Sequence, residues 1–149
     1  MPKRSAGILL FRRTPVVQVL LAHPGGPLHE GKDVWTVPKG EYDETELPLT
    51  AAYREFAEEL GHPVPGGPAL DLGEVVQKGG KRVVAWAVEG DLDPATCVSN
   101  TFGMSWRGRW QEFPEVDRVQ WFDVPTARTK INSRQEPFLD RLLALVPEL

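Results

Sequence analysis

The chain has 149 residues, 41% hydrophobic and 26% charged, the balance of one ordinary globular domain rather than of a disordered chain. Its formal net charge of −4 argues against a general nucleic-acid binder, whose surface has to be basic to meet phosphates. A small anionic ligand is not excluded, because a metal ion can supply positive charge locally. The single cysteine, Cys97, allows no internal disulfide and no thiolate metal cluster, and reads as a small filler residue.

The apolar run at residues 6–11 lies between Lys3-Arg4 and Arg12-Arg13. It is far too short for a membrane span and for most signal-peptide cores, so a cytoplasmic protein with no membrane partner is expected. Residues 5–12 and 16–23 are β-rich and flank Thr14-Pro15, which predicts a hairpin. The run His23-Pro24-Gly25-Gly26-Pro27 predicts a loop, with His23 and His29 at the surface. A short strand is expected over 34–37, broken by Pro38 and Gly40, and a polar loop over 41–46.

From Pro48 to Leu60 the pattern turns helical. Leu49, Ala52, Tyr53, Phe56 and Leu60 recur on one face, Pro48 suits a first turn, and Gly61 followed by Pro63 is a stop signal. Strands are expected over 70–77 and 82–88 around the turn 78–81, then over 104–110 and 118–122. Helices are expected over 124–130 and 136–146, the latter from the spacing of Phe138, Leu142 and Leu145. With no repeat and no linker, this order predicts one mixed α/β domain over residues 1–149.

Glu55, Glu58 and Glu59 gather beside the apolar stripe of the first helix, since residues three and four apart are surface neighbours. Three such carboxylates suit a solvated acidic face. They equally suit a hard divalent cation, magnesium or manganese, which removes their mutual repulsion. The surroundings favour the cation: a Lys-Gly turn lies upstream, Glu46 precedes the helix, and Arg54 can hold a carboxylate in its guanidinium fork.

The run from Gly40 through Glu46, Arg54-Glu55, Glu58-Glu59 and Gly61 resembles the Nudix box, with every fixed polar and glycine position filled. One position departs: His62 stands where the pattern has an apolar residue, which touches local packing more than catalysis. Ser5–Leu10 resembles the family's opening strand, residues 35–40 its entry to the box, and 113–117 before Trp121-Phe122 its approach to a late strand. The resemblance implies a Nudix α/β/α sandwich around a mixed sheet. It implies Glu55, Glu58, Glu59 and the Gly40 carbonyl as metal ligands, with Arg54 orienting Glu55 and Glu46 pairing with Arg54. The general base is a box glutamate or a later loop carboxylate, Glu115 or Glu112.

Lys39 before the box glycine is common in branches that cut diadenosine polyphosphates or diphosphoinositol polyphosphates, and Lys81 and Arg82 add a second basic group for phosphates. The resemblance therefore implies magnesium-dependent cleavage of a small nucleoside polyphosphate, with diadenosine tetraphosphate, giving ATP and AMP, preferred. A nucleotide-pool triphosphate pyrophosphatase is the alternative. Diphosphoinositol cleavage fits the acidic balance less well, and a nucleotide-sensing module without activity would be expected to have lost the glutamates. Of the five tryptophans, Trp106, Trp110 and Trp121 are open to stacking a purine or to packing in the core.

Overall fold

The computed structural model describes residues 3–146. Strand β1 (Arg4–Arg12) is apolar on both faces and buried along almost its whole length, as a central strand covered on two sides has to be. It runs parallel to β5 (Arg82–Glu89) on one edge. Its other edge is shared: β2 (Gln18–Pro24) pairs antiparallel near Phe11 and Arg12, and β3 (Lys39–Glu41) pairs antiparallel with Ser5, Ala6 and Gly7. With β4 (Leu70–Val76) and β8 (Val116–Asp123) outermost, the order is β4-β5-β1-β2-β8.

The alternation of β1 distributes two cores. Ala6, Ile8 and Leu10 pack with Ala51, Ala52, Phe56 and Leu60 of α1 (Pro48–Leu60). Leu9 and Phe11 face the other way, toward Ala127 of α2 (Val124–Lys130) and Phe138, Leu139 and Leu142 of α3 (Pro137–Leu145). The result is a single α/β/α sandwich around a mixed sheet. Helix α1 ends where expected: Gly61 adopts φ 74° and returns its N–H to the Ala57 carbonyl at 2.8 Å, the left-handed cap that glycine favours. Among the described residues no helix is long and apolar enough to cross a membrane.

Three expectations are corrected. Residues 34–37 form no strand; Thr36 bridges Ala22 and Trp35 bridges Ile131. Pairing stops there because Val37 N donates to the Gln135 side chain at 2.9 Å instead of to a neighbouring strand. Strand β3 forms instead across Gly40. Residues 104–110 are not one strand but the turn of a hairpin, β6 (Thr101–Trp106) and β7 (Arg109–Pro114), reversed at Arg107 and Gly108, both at positive φ, a two-residue turn that matches strand twist.

His23 is not a surface loop residue, although His29 is exposed. His23 is 1% exposed, with Nδ1 2.8 Å from Asp117 Oδ1 and Nε2 against the Lys32 carbonyl. A register shift between His23 and Pro24 leaves Asp117 free to turn toward the imidazole. His23→Ala removes a partner from both groups and is expected to cost about 2 kcal/mol. Urea unfolding checks this, and an unchanged midpoint would show the pair to be energetically silent.

Candidate active site

Helix α1 carries the acidic groups and β3 crosses it at Gly40. The crossing is tight: a Cβ on Gly40 would fall inside the Glu55 carboxylate, so this strand passes Glu55 only without a side chain. Glu55 is 9% exposed, and its burial raises its pKa against the opposing effect of Arg54. One residue back along β3, Lys39 N donates to Glu59 Oε2 at 3.0 Å. Glu59 is half-buried, and burial pushes its carboxyl up to about 8 although Lys39 pulls it down. Lys39 itself is lowered to about 8, first by burial and then by the charge of Lys81.

Arg54 organises the rest of the helix face. Its Nε and Nη2 donate to the two oxygens of Glu46 at 2.7 and 2.8 Å, the bidentate fork expected of arginine and carboxylate. Nη1 donates to Glu55 Oε1 at 2.7 Å and to Glu58 Oε2 at 3.2 Å. Two of the three helix carboxylates are thus held by the guanidinium, and among the described residues no three His, Cys, Asp or Glu side chains converge as ready ligands. The donor set is all oxygen, which suits magnesium or manganese rather than zinc.

Glu115 reaches the same place from the bend between β7 and β8. Its N–H donates to the Asn100 carbonyl at 2.8 Å, its carbonyl accepts from Gly25 N at 2.9 Å, and Asn100 N donates to the Glu58 carbonyl at 3.0 Å. The backbone on either side of Glu115 is thereby tied to α1 and to the end of β2. Partial withdrawal from water and the charges of Glu55 and Glu58 push its carboxyl up.

A cavity of about 360 Å³ gathers Ser5, Lys39, Gly40, Glu41, Glu55, Glu59, Lys81 and Glu115. A family model of the NUDIX domain matches residues 1–142. The chain belongs to the Nudix family. A curated relative, the 8-oxo-(d)GTP phosphatase of Mycolicibacterium smegmatis, is 30% identical over 139 residues, covering 86% of this chain and 37% of that protein. The chain therefore spans little more than a third of that relative's length. Two solved structures share the Nudix fold. The C. elegans Ap4A hydrolase binary complex matches 97% of this chain and 99% of its own at 20% identity and a TM-score of 0.70. The NUDIX domain of Shewanella oneidensis NrtR, complexed with ADP ribose, matches 98% and 89% at 16% identity and a TM-score of 0.69.

Among the residues picked out from the Nudix box and its flanks, Lys39, Gly40, Glu55, Glu59, Lys81 and Glu115 line the cavity. Glu46 and Glu58 are outside its wall, both paired with Arg54. Arg82 is not in the cavity wall and its guanidinium is bonded to Glu74. Glu112 faces Thr101 across the hairpin at 3.4 Å. Of the tryptophans, Trp121 is packed, its Nε1 donating to the Leu92 carbonyl and Arg12 lying over its ring; Trp106 is half-buried and Trp110 is exposed. Sequence reasoning missed two wall residues, Ser5 and Glu41. Ser5 had a signal, a lone hydroxyl in an otherwise apolar strand start; Glu41 had none beyond adjacency to Gly40.

Proposed function

We propose that this chain is a magnesium-dependent hydrolase cutting a pyrophosphate bond in a nucleoside polyphosphate, with a dinucleoside polyphosphate such as diadenosine tetraphosphate as preferred substrate and ATP and AMP as products. The observation that carries it is one cavity holding Glu55, Glu59 and Glu115 together with Lys39 and Lys81, acids for a cation and a base beside cations for phosphates. Glu55, Glu58, Glu59 and the Gly40 carbonyl would hold the magnesium, manganese substituting. When bound, the cation supplies a Lewis acid that offsets charge developing on the phosphates and makes water more acidic.

The chain's own groups have distinct tasks. Arg54 holds Glu55 and Glu58 in direction, with Glu46 bracing the guanidinium from its far side. Lys39 and Lys81 take phosphate oxygens as point charges. Of the two candidate carboxylates, Glu112 in β7 and Glu115 after it, only Glu115 lines the cavity, so Glu115 is assigned the proton of the attacking water. The oxygen of that water bonds to phosphorus as the bridging P–O bond breaks, and the leaving phosphate takes a proton; no covalent enzyme intermediate is required.

The dinucleotide preference draws on Lys39 and Lys81, whose charges suit a long phosphate chain. The name of the M. smegmatis relative favours a second reading, a nucleotide-pool triphosphate as substrate. Product analysis of diadenosine tetraphosphate, ATP, dGTP and ADP-ribose in magnesium separates them. ATP plus AMP from the first, with little action on the others and none after chelation, is expected. Pyrophosphate released preferentially from a triphosphate would establish the second reading, and no cleavage of any would overturn the nucleoside polyphosphate reading and leave diphosphoinositol cleavage or a silent binding module.

A further inference from the structure

Ser5 is 1% exposed, and its Oγ is a buried side-chain oxygen with no hydrogen-bond partner among the described residues. Buried polar groups are almost always paired, and an exception calls for a reason. Gln135, equally buried, shows the rule at work: its Oε1 accepts from Val37 N and its Nε2 donates to Thr36 and Gln77. Alanine in place of Ser5 would fill the same strand position without an unpaired hydroxyl, so packing does not account for the oxygen.

The position does. Ser5 is in the wall of the cavity that holds Lys39, Lys81 and the glutamates. On one side it is paired with Glu41, two residues past Lys39. On the other it is paired with Val83, two residues past Lys81. The hydroxyl therefore stands on the strand between the two that bring in the lysines. It can donate one hydrogen and accept others, and two of the charged groups that share its cavity, Lys39 and Lys81, are cations whose own natural ligand is an anion.

We propose that the Ser5 hydroxyl is a phosphate-binding group, donating its hydrogen to an oxygen of the anion that Lys39 and Lys81 hold. This rests on the polyphosphate reading of the same cavity. The oxygen has no partner among the described residues and gains one when the Lys39 and Lys81 side chains rearrange around the phosphate chain.

The test uses Ser5→Ala and Ser5→Cys, the second keeping bulk without a strong donor, with inorganic tripolyphosphate in magnesium as binding probe and the nucleotide panel as kinetic probe. A hydrogen bond to a charged oxygen is worth about tenfold in affinity or more. Both variants should bind tripolyphosphate about tenfold more weakly and raise KM more than they lower kcat, while their melting temperature stays the same or rises, because an unpaired buried hydroxyl has been removed. Binding and KM like the wild type in both would overturn the proposal and leave the hydrolase standing. A lowered melting temperature with unchanged affinity would overturn it too, marking a structural hydroxyl. If the wild type binds tripolyphosphate but cleaves no nucleotide, weaker binding by both variants upholds Ser5 while the hydrolase reading falls. If the wild type binds no tripolyphosphate, the proposal falls.

Discussion

Glu59→Gln is expected to reduce turnover by about a thousandfold at saturating magnesium with the domain still folded. The amide keeps the shape of the carboxylate and can still accept from Lys39 N, but it carries no charge for a cation. Stability should move the opposite way from activity. Glu59 titrates at about 8 in the fold against an ordinary 4.5, chiefly because burial penalises the charge. The folded state thus binds this proton more tightly than the unfolded chain. The stability linked to it is full below the ordinary carboxylate range and is lost as pH rises through about 8.

Without metal, the wild type should lose melting temperature from about pH 5 to pH 8, and Glu59→Gln should flatten part of that slope. Glu55 and Glu115, also raised, keep the remainder. Thermal scans across that range with chelator, beside kcat in magnesium, check both halves. Wild-type rates in the variant would remove Glu59 from the site, and an unchanged slope would remove the buried charge as a cost to the fold. Together the two halves describe a group whose placement serves catalysis at the expense of stability.

The legibility of the chain follows the range of the interactions involved. Helix α1 was readable to the residue because its signals are local: a proline at the start, an apolar stripe and a glycine cap. The box was readable because its spacing is fixed. Strand β3 was not, because Pro38 and Gly40 look like breakers. It exists because the Pro38 carbonyl accepts from Ile8 N at 3.1 Å and the next residues pair with β1, partners some thirty positions away. The hairpin β6–β7 hid behind Arg107-Gly108, which lacks the usual Asn-Gly signature. His23 looked like a loop residue because its partner Asp117 is 94 positions distant. Ser5 could be seen as a polar residue in an apolar strand, but only the fold shows that its hydroxyl has no partner among the described residues and that the cavity is beside it.

Gly40→Ala should lower kcat/KM by about a hundredfold or more, since small misplacements of reacting groups carry effects of that size. The added methyl would lie against Glu55 Oε2 and Cδ, closer than any real contact, with Oε1 at 2.6 Å. Glu55 cannot withdraw with its helix, because Ala51, Ala52 and Phe56 are fully buried beneath it. Nor can β3 retreat cheaply while Gly40 is paired with Ala6. The carboxylate therefore has to rotate away, giving up its 2.7 Å bond from Arg54 and its place in the cavity. The overpacking should cost about 1–3 kcal/mol of stability, leaving far-UV circular dichroism unchanged. Glu55→Ala provides the control: with no carboxylate opposite, the three closest clashes of a methyl at position 40 are gone. The two substitutions should then be strongly non-additive in stability, as contacting residues are, and Gly40→Ala should add little further loss of activity to Glu55→Ala. Additive penalties, or near wild-type rates in the single variant, would mean that Gly40 does not act through Glu55. The glycine would then serve β3 alone.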